Sequence, residues 1–181
     1  MKIGIVGTGN ISIRHLDEFN KIENVNVEAV CDTNKENLER FLSLNKECKI
    51  RGYTTLDEML SNEKDFDGIT NATPDKFHKE TSIKILNSGY NIFCEKPLAE
   101  NYEDAKIMVN AAIKAKKINM VNFTYRESSA YQKLVEIIKS GDVGIPRHVS
   151  ACYYQSWLSS NKWGNWKEED KWLWRLSKNH G

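Results

Sequence analysis

The sequence predicts an α/β fold in which a Rossmann-type, doubly wound parallel sheet is followed by the beginning of a second domain. Short β-branched runs alternate with helical apolar patterns over the first two thirds of the 181 residues, which is typical of βαβ units. A glycine-rich turn, Gly7-Thr8-Gly9, directly follows the first run, and Asp32 ends the second. Both features indicate that the sheet binds a dinucleotide.

Five runs are predicted to be strands because each contains β-branched or aromatic residues and is bounded by turn-forming or polar ones. They are Lys2–Val6, Val25–Cys31, Gly68–Asn71, Asn91–Cys94 and Ile118–Asn122. Since a helical pattern separates most neighbouring runs, we expect the strands to lie parallel in one sheet.

Two helices have recognisable boundaries. One starts after Asn101, a predicted N-cap, and carries an apolar stripe at helical spacing. The stripe consists of Ala105, Met108, Val109, Ala112 and Ile113. For the other helix, Thr73 is the predicted N-cap, Pro74 the first helical residue and Gly89 the approximate end. Both helices are expected to pack on the sheet.

The alternation stops after Asn122, so we place a domain boundary between residues 1–122 and 123–181. An amphipathic helix comes next and stops at Gly141; its apolar residues are Tyr131, Leu134, Val135 and Ile138. Arg147–Trp157 has a strand-like pattern, and all five tryptophans lie between Trp157 and Trp174. This region is predicted to begin a larger domain.

Composition narrows the range of partners. Lys and Arg number 26 and Asp and Glu 25, with no long block of either sign, which argues against a nucleic-acid or anionic-membrane surface. The four cysteines are Cys31, Cys48, Cys94 and Cys152. Their spacing fits no metal site, so they are predicted to be reduced and mostly buried. With no signal peptide or membrane-spanning run apparent, we expect a cytoplasmic protein with a small-molecule partner.

The turn Gly7-Thr8-Gly9-Asn10-Ile11-Ser12 follows a strand and opens a helix. In this setting, glycines let the backbone approach a pyrophosphate at the helix N-terminus. Ser12 stands where the dinucleotide fingerprint has its third glycine, and it is small enough for close helix–strand packing. The alternative is a turn with a purely structural role.

Asp32 lies 23 positions after Gly9, near the spacing at which a carboxylate accepts hydrogen bonds from the adenosine ribose. A carboxylate there would repel a 2′-phosphate, and no arginine follows it closely, so NAD is favoured over NADP. Lys35 weakens this preference. The alternative is that Asp32 caps the next helix.

Two further segments, Asn71-Ala72-Thr73-Pro74 and Glu95-Lys96-Pro97, follow predicted strands. The carboxyl ends of parallel strands form the ligand-binding edge of an open sheet, so both segments are expected at one crevice. Pro97 should hold Lys96 in an extended backbone conformation and so direct its ammonium group. The alternative is an ordinary solvated lysine.

These residues resemble the glucose-fructose oxidoreductase, inositol dehydrogenase and rhizopine-catabolism (Gfo/Idh/MocA) family along the whole chain. The matching elements are Gly7-Thr8-Gly9, Asp32, Tyr53, Ala72-Thr73-Pro74, His78, Glu95-Lys96-Pro97-Leu98 and Phe123-Thr124-Tyr125-Arg126. The resemblance implies a Rossmann domain and a second α/β domain with a mainly antiparallel sheet that often carries the homo-oligomer interface. It also implies NAD or NADP as cofactor and sugars or polyols as substrates.

The resemblance also implies a role for each matching residue. Gly7, Thr8, Gly9, Asn10 and Ile11 would hold the pyrophosphate, and Asp32 the adenosine ribose. Ala72, Thr73, Pro74 and His78 would line the cofactor cleft, while Glu95 and Lys96 would approach the nicotinamide ribose. Lys96 would bind the substrate oxygen and transfer its proton as hydride passes to or from the nicotinamide.

The chain departs from the family pattern near its end. The family's downstream Asp/His signature does not occur in the 181 residues, and His180 is expected to be a disordered terminal residue without that role. Arg126, Trp174 and Arg175 are candidates for substrate contact. Burial in a core or interface is the favoured interpretation of the tryptophan, and the alternative for Arg126 is a bridge between the two domains. Three hypotheses stay open: an NAD-dependent sugar or polyol oxidoreductase, a truncated NAD-binding module without turnover, and a sensor without chemistry.

Overall fold

A computed structural model describes residues 1–156, 159, 164 and 165. The chain divides into two compact units, Met1–Asn122 and Phe123–Gly181. Two predictions lie outside the described residues: substrate contact by Trp174 and Arg175, and disorder of His180.

Six parallel strands form one sheet in the first unit, in the order β3-β2-β1-β4-β5-β6. The strands are β1 Lys2–Val6, β2 Asn26–Cys31, β3 Arg51–Tyr53, β4 Gly68–Asn71, β5 Asn91–Glu95 and β6 Asn119–Asn122. Five of them match the predicted runs within one residue at each end. The order is that of a doubly wound dinucleotide-binding sheet, which confirms the predicted Rossmann-type fold.

Six α-helices lie in the described part of the chain. They are α1 Asn10–Phe19, α2 Lys35–Leu44, α3 Leu56–Asn62, α4 His78–Asn87, α5 Tyr102–Ala115 and α6 Ser129–Ser140. Three begin at a side chain that accepts a hydrogen bond from a first-turn N–H group: Asn34, Thr55 and Asn101. Asn101 was the predicted cap.

The core lies on both faces of the sheet, as double winding requires. On one face the apolar side chains of β1 and β2 pack with those of α1 and α2, as at Ile5, Leu16 and Phe41. On the other face the strands pack with α3, α4 and α5, as at Met59 and Ile85. The carboxyl ends of all six strands therefore meet along one edge that neither helix layer covers.

Several element predictions were wrong in detail. Thr73 does not cap α4: Asp75–Phe77 forms a 3-10 turn after Pro74, and the α-helix begins only at His78. The predicted stripe on α5 is too wide, because Met108 and Ala112 are buried while Val109 and Ile113 are exposed. The three-residue strand β3 was not predicted, since so short a run carries almost no periodicity.

The second unit contains α6, which ends as predicted at Gly141 with the glycine in the left-handed conformation (φ 84°). No residue of α6 is buried. The predicted strand Arg147–Trp157 was wrong for its described residues: 147–156 contain no strand, and all are exposed. A strand-like pattern becomes a strand only where a partner strand pairs with it.

The cysteine prediction was half right. Cys31 and Cys94 are buried in the strands β2 and β5, whereas Cys48 and Cys152 are exposed. All four are free thiols. Burial raises the pKa of Cys31 to about 12 and that of Cys94 to about 11, so both stay protonated at neutral pH.

Candidate functional site

Gly7 shapes the turn that connects β1 to α1. Its φ of 91° lies in the left-handed region, and a Cβ there would stand 2.6 Å from the carbonyl oxygen of Ala72. Its N–H group donates to the Cys31 carbonyl oxygen at 2.7 Å, and the Ala72 N–H donates to that of Val6, also at 2.7 Å. The turn is thus sandwiched between the ends of β2 and β4, where only glycine fits.

Asp32 anchors this turn from the end of β2. Its Oδ2 accepts hydrogen bonds from the Thr8 backbone N–H at 2.7 Å and from the Thr8 hydroxyl at 2.8 Å. Its Oδ1 accepts from the Asn34 N–H, whereas the cap of α2 is the Asn34 side chain, which accepts from the Asn37 N–H. The alternative that Asp32 caps the helix was therefore wrong.

The first turn of α1 opens onto the same edge. Gly9 is the N-cap residue, and a Cβ built on it would meet no atom within 4 Å. Asn10 and Ile11 are exposed, and the first turn contains no acidic residue. The buried Ser12 hydroxyl donates to the Gly9 carbonyl oxygen at 2.5 Å. Ser12 thus packs closely, while the space beside the Gly9 Cα is open.

Asn71 organises the segment that follows β4. Its side chain is fully buried: Nδ2 donates to the His78 carbonyl oxygen and to the Ser82 hydroxyl, and Oδ1 accepts from the N–H and hydroxyl of Thr73. The amide uses both donors and both acceptor positions. This network fixes the backbone at Ala72 and Thr73 and explains why the Thr73 hydroxyl does not cap α4.

His78, which is predicted to line the cofactor crevice, is a buried residue near this edge. Its side chain is fully buried, with Nδ1 2.7 Å from the Pro97 carbonyl oxygen and Nε2 2.9 Å from the Thr73 carbonyl oxygen. Carbonyl oxygens only accept hydrogen bonds, so each ring nitrogen faces an acceptor. The ring therefore ties together two backbone segments at this edge instead of presenting a nitrogen to a ligand.

Glu95 ends β5 and is buried, with 6% of its surface exposed. Its Oε1 lies 2.8 Å from His15 Nε2 and accepts from Asn122 Nδ2 at 2.7 Å, and its Oε2 accepts from the Lys96 N–H at 3.3 Å. Burial alone would raise the pKa of Glu95, but the hydrogen bonds from His15 and Asn122 outweigh it and the pKa lies below its usual value. Glu95 is therefore a buried, ionised carboxylate.

His15 and Asn122 were missed by the sequence prediction. His15 belongs to the inward face of α1, three positions after Ser12 and next to Leu16, so helical periodicity marks it as buried. Periodicity cannot show that its partner lies 80 positions later in the sequence. Asn122 was assigned to a strand end, but nothing in its neighbourhood indicated a bond to Glu95.

Lys96 follows Glu95 at the carboxyl end of β5, and it is exposed. The Lys96–Pro97 peptide bond is cis. The segment is held through the Lys96 N–H on one side and the Pro97 carbonyl oxygen on the other. Its side chain thus leaves a well-anchored backbone and enters open space at the edge of the sheet.

The remaining candidate, Arg126, belongs to the second unit. It is exposed and forms a 3.6 Å ion pair with Glu127. Among the described residues, no group of His, Cys, Asp or Glu could hold a metal ion. None of the helices in the described part is long and apolar enough to cross a membrane.

A separate pocket of about 250 Å³ lies away from this edge. Its lining includes Lys2, Glu28, Arg51 and Glu63, near the amino ends of β1 and β3. Arg51 donates to Glu63 at 2.9 Å and to Glu28 at 3.2 Å, so these lining charges pair with each other. The chemistry-bearing residues lie at the opposite ends of the strands.

A doubly wound parallel sheet with a Gly7 turn, a helix N-terminus and Asp32 at its carboxyl edge defines a dinucleotide-binding domain. The model of the Gfo/Idh/MocA family, described as an oxidoreductase family with an NAD-binding Rossmann fold, matches residues 1–123. The chain therefore belongs to the Gfo/Idh/MocA oxidoreductase family, which confirms the family resemblance and the expected NAD-binding domain.

Several members of this family are similar to the chain. Glucose-6-phosphate 3-dehydrogenase of Bacillus subtilis is 27% identical, over 93% of this chain and 46% of its own length. Inositol 2-dehydrogenase of Salmonella typhimurium is 30% identical, over 86% and 46% respectively. The chain thus spans about half the length of these curated relatives.

Solved structures show the same fold. The WlbA dehydrogenase of Bordetella pertussis, in complex with NADH and UDP-GlcNAcA, superposes with a TM-score of 0.72 at 28% identity, over 79% of this chain and 43% of that one. Myo-inositol 2-dehydrogenase of Lactobacillus plantarum gives a TM-score of 0.69 at 29% identity, over 80% of this chain and 42% of that one. Both similarities agree with the α/β architecture described above.

Proposed function

We propose that this chain is the nucleotide-binding part of an NAD-dependent oxidoreductase that transfers a hydride between nicotinamide and a sugar, polyol or related carbohydrate. The observation that carries the proposal is the convergence, at one sheet edge, of the Gly7 turn, Asp32 and the Glu95–Lys96 segment. Family membership supports the reaction class. The dehydrogenase relatives named above support the substrate class.

The residues at the edge fit NAD. Gly9 leaves open space at the N-terminus of α1, where free N–H groups and the helix dipole favour a pyrophosphate. Asn10 and Ile11 are exposed beside it. Ala72 and Thr73 lie against the Gly7 turn at the end of β4, and together with Pro74 they are the proposed wall of the cofactor cleft.

We propose NAD over NADP because Asp32 brings a carboxylate to the place where the adenosine ribose would bind. The Thr8 and Asn34 contacts hold this carboxylate in place. They use both lone pairs of Oδ2 and one of Oδ1, which leaves a lone pair of Oδ1 for a ribose hydroxyl. Calorimetric titration of the chain with each nucleotide tests the preference. Tighter binding of NADP would overturn it.

Lys96 is the proposed catalytic residue. When bound, NAD supplies the hydride acceptor or donor. In the oxidation direction the neutral Lys96 amine would take the proton of the substrate hydroxyl as the hydride leaves for the nicotinamide. In the reduction direction the Lys96 ammonium would donate a hydrogen bond to the carbonyl oxygen and give it the proton. The exposed side chain on an anchored backbone suits this task, because the ammonium can reach a ligand while its Cα stays fixed.

Binding of NADH by the 181-residue chain is the experiment that tests the nucleotide site. Gly9→Val should weaken binding by at least about tenfold, equivalent to about 1.4 kcal/mol, because its side chain would fill the space proposed for the pyrophosphate. The φ of Gly9 is −70°, which valine adopts readily, so thermal unfolding without nucleotide should change little. Unchanged affinity in a folded Gly9→Val chain would contradict the proposed site.

A second candidate is a nucleotide-binding module without turnover, favoured because the chain spans about half the length of its curated relatives. Incubation of the chain with NAD and a panel of polyols separates the two. NADH formation that disappears in Lys96→Ala would support the oxidoreductase. NAD binding without NADH formation would support the module, and a sensor function would survive Lys96→Ala.

We further propose that residues 123–181 begin a substrate domain with a mainly antiparallel sheet, that the protein forms homo-oligomers, and that it acts in the cytoplasm. The exposed apolar side chains of α6, including Tyr131, Leu134 and Ile138, support a role in a larger assembly. Arg126, Trp174 and Arg175 stay proposals for substrate contact. Light scattering of the protein tests the oligomeric state, and a monomer would contradict it.

A further inference from the structure

We propose that His15 is a positioning residue for the nicotinamide end of the site: it fixes the Glu95 carboxylate, which in turn holds the backbone N–H of Lys96. This inference rests on the proposed function, because it assumes that the Lys96 segment receives the nicotinamide. The chain of contacts runs from α1 to the end of β5. It makes the helix that begins at the proposed pyrophosphate site part of the reactive end as well.

The contact between α1 and β5 is buried. The His15 ring and Glu95 are 8% and 6% exposed, and His15 Nε2 lies 2.8 Å from Glu95 Oε1. The ring lies edge-on to Phe93, with centroids 5.6 Å apart, and stacks near Phe19 at 6.2 Å. These aromatic neighbours restrict the orientation of the imidazole, so its Nε2 is directed at the carboxylate.

The direction of the hydrogen bond between His15 and Glu95 follows from the charge of the carboxylate. An ionised carboxylate only accepts, so the hydrogen lies on His15 Nε2. Asn122 donates to the same oxygen from the end of β6, and the Lys96 N–H donates to the other. Without His15, Glu95 would keep only Asn122 on Oε1 and would lose the bond that ties it to α1. The carboxylate could then turn away from Lys96.

His78 holds the same segment from its other side. Its Nδ1 is 2.7 Å from the Pro97 carbonyl oxygen, and its Nε2 contacts the Thr73 carbonyl oxygen. Two buried histidines, one on α1 and one at the start of α4, therefore restrain the backbone on both sides of the Lys96–Pro97 bond. Restraint of this kind pre-organises a side chain for a ligand.

Stability alone does not account for the His15–Glu95 pair. Burial of a charged group costs several kcal/mol, and well-packed apolar residues often stabilise a core as much as a buried ion pair does. The neighbouring side chains Leu16, Phe19 and Phe93 are apolar, so an apolar residue at position 15 would suit its surroundings. The pair instead orients the carboxylate that holds Lys96.

Comparison of ligands that reach different parts of the site tests the inference in the 181-residue chain. NAD would contact both ends, whereas ADP would reach only the Gly7 turn and Asp32. We expect His15→Phe to weaken NAD binding by about tenfold, or 1.4 kcal/mol, and to leave ADP binding within about twofold. His15→Gln, whose amide can donate to Glu95, should recover most of the NAD affinity.

Two further variants guard against a folding defect. Glu95→Gln keeps the size of the side chain but has one acceptor oxygen instead of two. Its amide cannot accept from the Lys96 N–H and from His15 and Asn122 together, so it should show the same selective loss. Leu16→Ala, on the same buried face of α1, should lower stability and affect the binding of NAD and ADP equally.

Exchange of the Lys96 amide proton, followed by NMR, should accelerate in His15→Phe but not in His15→Gln.

The outcomes distinguish this inference from the proposed function. Binding of neither ligand by the wild-type chain would overturn the proposed function and this inference together. Normal wild-type binding, combined with equal weakening of NAD and ADP in both His15→Phe and Glu95→Gln, would overturn the inference alone. Unchanged affinity for both ligands in these variants would do the same.

Discussion

At the scale of single residues, Gly7 carries the strictest requirement in the site. Its left-handed φ and the 2.6 Å approach of the Ala72 carbonyl oxygen leave no room for a side chain. Gly9, two residues later, has neither restriction. The two glycines of one motif therefore serve different purposes, since Gly7 shapes the turn and Gly9 leaves space for a ligand.

Gly7→Ala should lower the free energy of unfolding by at least about 1–3 kcal/mol, because the backbone strain adds to a clash with the end of β4. Denaturant unfolding measures the loss. Gly9→Ala is the matched control and should change stability by no more than about 0.5 kcal/mol. Equal losses in the two variants would show that the left-handed turn is not what makes Gly7 necessary.

The thiols should divide into two pairs by reactivity. Cys31 and Cys94 are buried and their pKa values are raised, so they should resist a disulfide reagent at pH 8. Cys48 and Cys152 are exposed and should react quickly. The reagent should release two equivalents of product from the native chain and four after denaturation. Rapid release of more than two from the native chain would contradict the burial of the two strand cysteines.

Glu95 should make stability depend on pH in the acid range. Its folded-state pKa lies below the usual value of 4.5, so its contribution is fully present above that pH and is lost as the pH falls through the folded-state pKa. Glu95→Gln should lower stability at neutral pH by roughly 1–3 kcal/mol, and the difference should shrink in acid. Urea unfolding between about pH 3 and pH 7, a range that includes the usual glutamate pKa of 4.5, measures this difference.

Glu136→Gln is the control for this prediction. Glu136 forms a 2.9 Å ion pair with Lys133 on the surface of α6, with both side chains more than 60% exposed. Exposed pairs contribute about 0–1 kcal/mol, so the stability of this variant should follow the wild-type pH profile. A similar profile for both variants would show that the buried environment of Glu95 is not the cause.

At the scale of elements, local capping explains where α5 begins. The Asn101 side chain accepts a hydrogen bond from the Asp104 N–H at 2.9 Å, and Asp104 also pairs with Lys79 on α4. These contacts fix the start of the helix and its packing partner. The sequence predicted the cap because asparagine before an apolar periodic segment is a local signal.

Asn101→Ala should cost about 1 kcal/mol of stability, because it leaves an N–H group of the first turn without its cap. Asn110→Ala, at an exposed position in the middle of the same helix, is the matched control. Alanine has the higher helix propensity there, so the control should be neutral or slightly stabilising. Thermal unfolding measures both, and an equal loss in the control would exclude capping as the cause.

The start of α4 shows where local signals mislead. Thr73 before Pro74 has the composition of a helix start, yet the Thr73 hydroxyl donates to the buried Asn71 side chain instead. Asn71 is better satisfied by this partner, because burial makes an unpaired amide costly. The α-helix therefore begins later, at His78, whose ring then ties the segment to Pro97.

At the scale of the whole molecule, the two units differ in what holds them together. Every buried apolar residue of both core clusters lies within residues 1–115, and the described part of the second unit adds none. The sheet and the proposed NAD-binding residues also belong to the first unit. We therefore expect the first unit to fold by itself.

Removal of residues 123–181 should therefore leave a chain that unfolds cooperatively and binds NAD with an affinity within about threefold of the complete 181 residues. Circular dichroism and calorimetric titration test the two parts of this prediction. A truncated chain that fails to fold would show that the second unit stabilises the first. A folded chain without NAD binding would show that residues beyond Asn122 belong to the cofactor site.

From the sequence it was possible to predict most of the strands, the glycine turn and the residues at strand ends, because each of these is recorded in local spacing and residue type. Five strands, the Asn101 cap and the end of α6 at Gly141 were predicted in this way. The sequence also indicated the family, through motifs such as Glu95-Lys96-Pro97 that need no tertiary information.

The contacts between distant segments became visible only in the folded chain. The fold brings His15 to Glu95 across 80 positions, makes Asp32 an anchor for Thr8, and places the His78 ring between the carbonyl oxygens of Thr73 and Pro97. Such contacts depend on which strands lie side by side and which helix face turns inward. A local sequence pattern predicts whether a residue is buried, but the residue that it contacts depends on how the whole sheet and its helices pack.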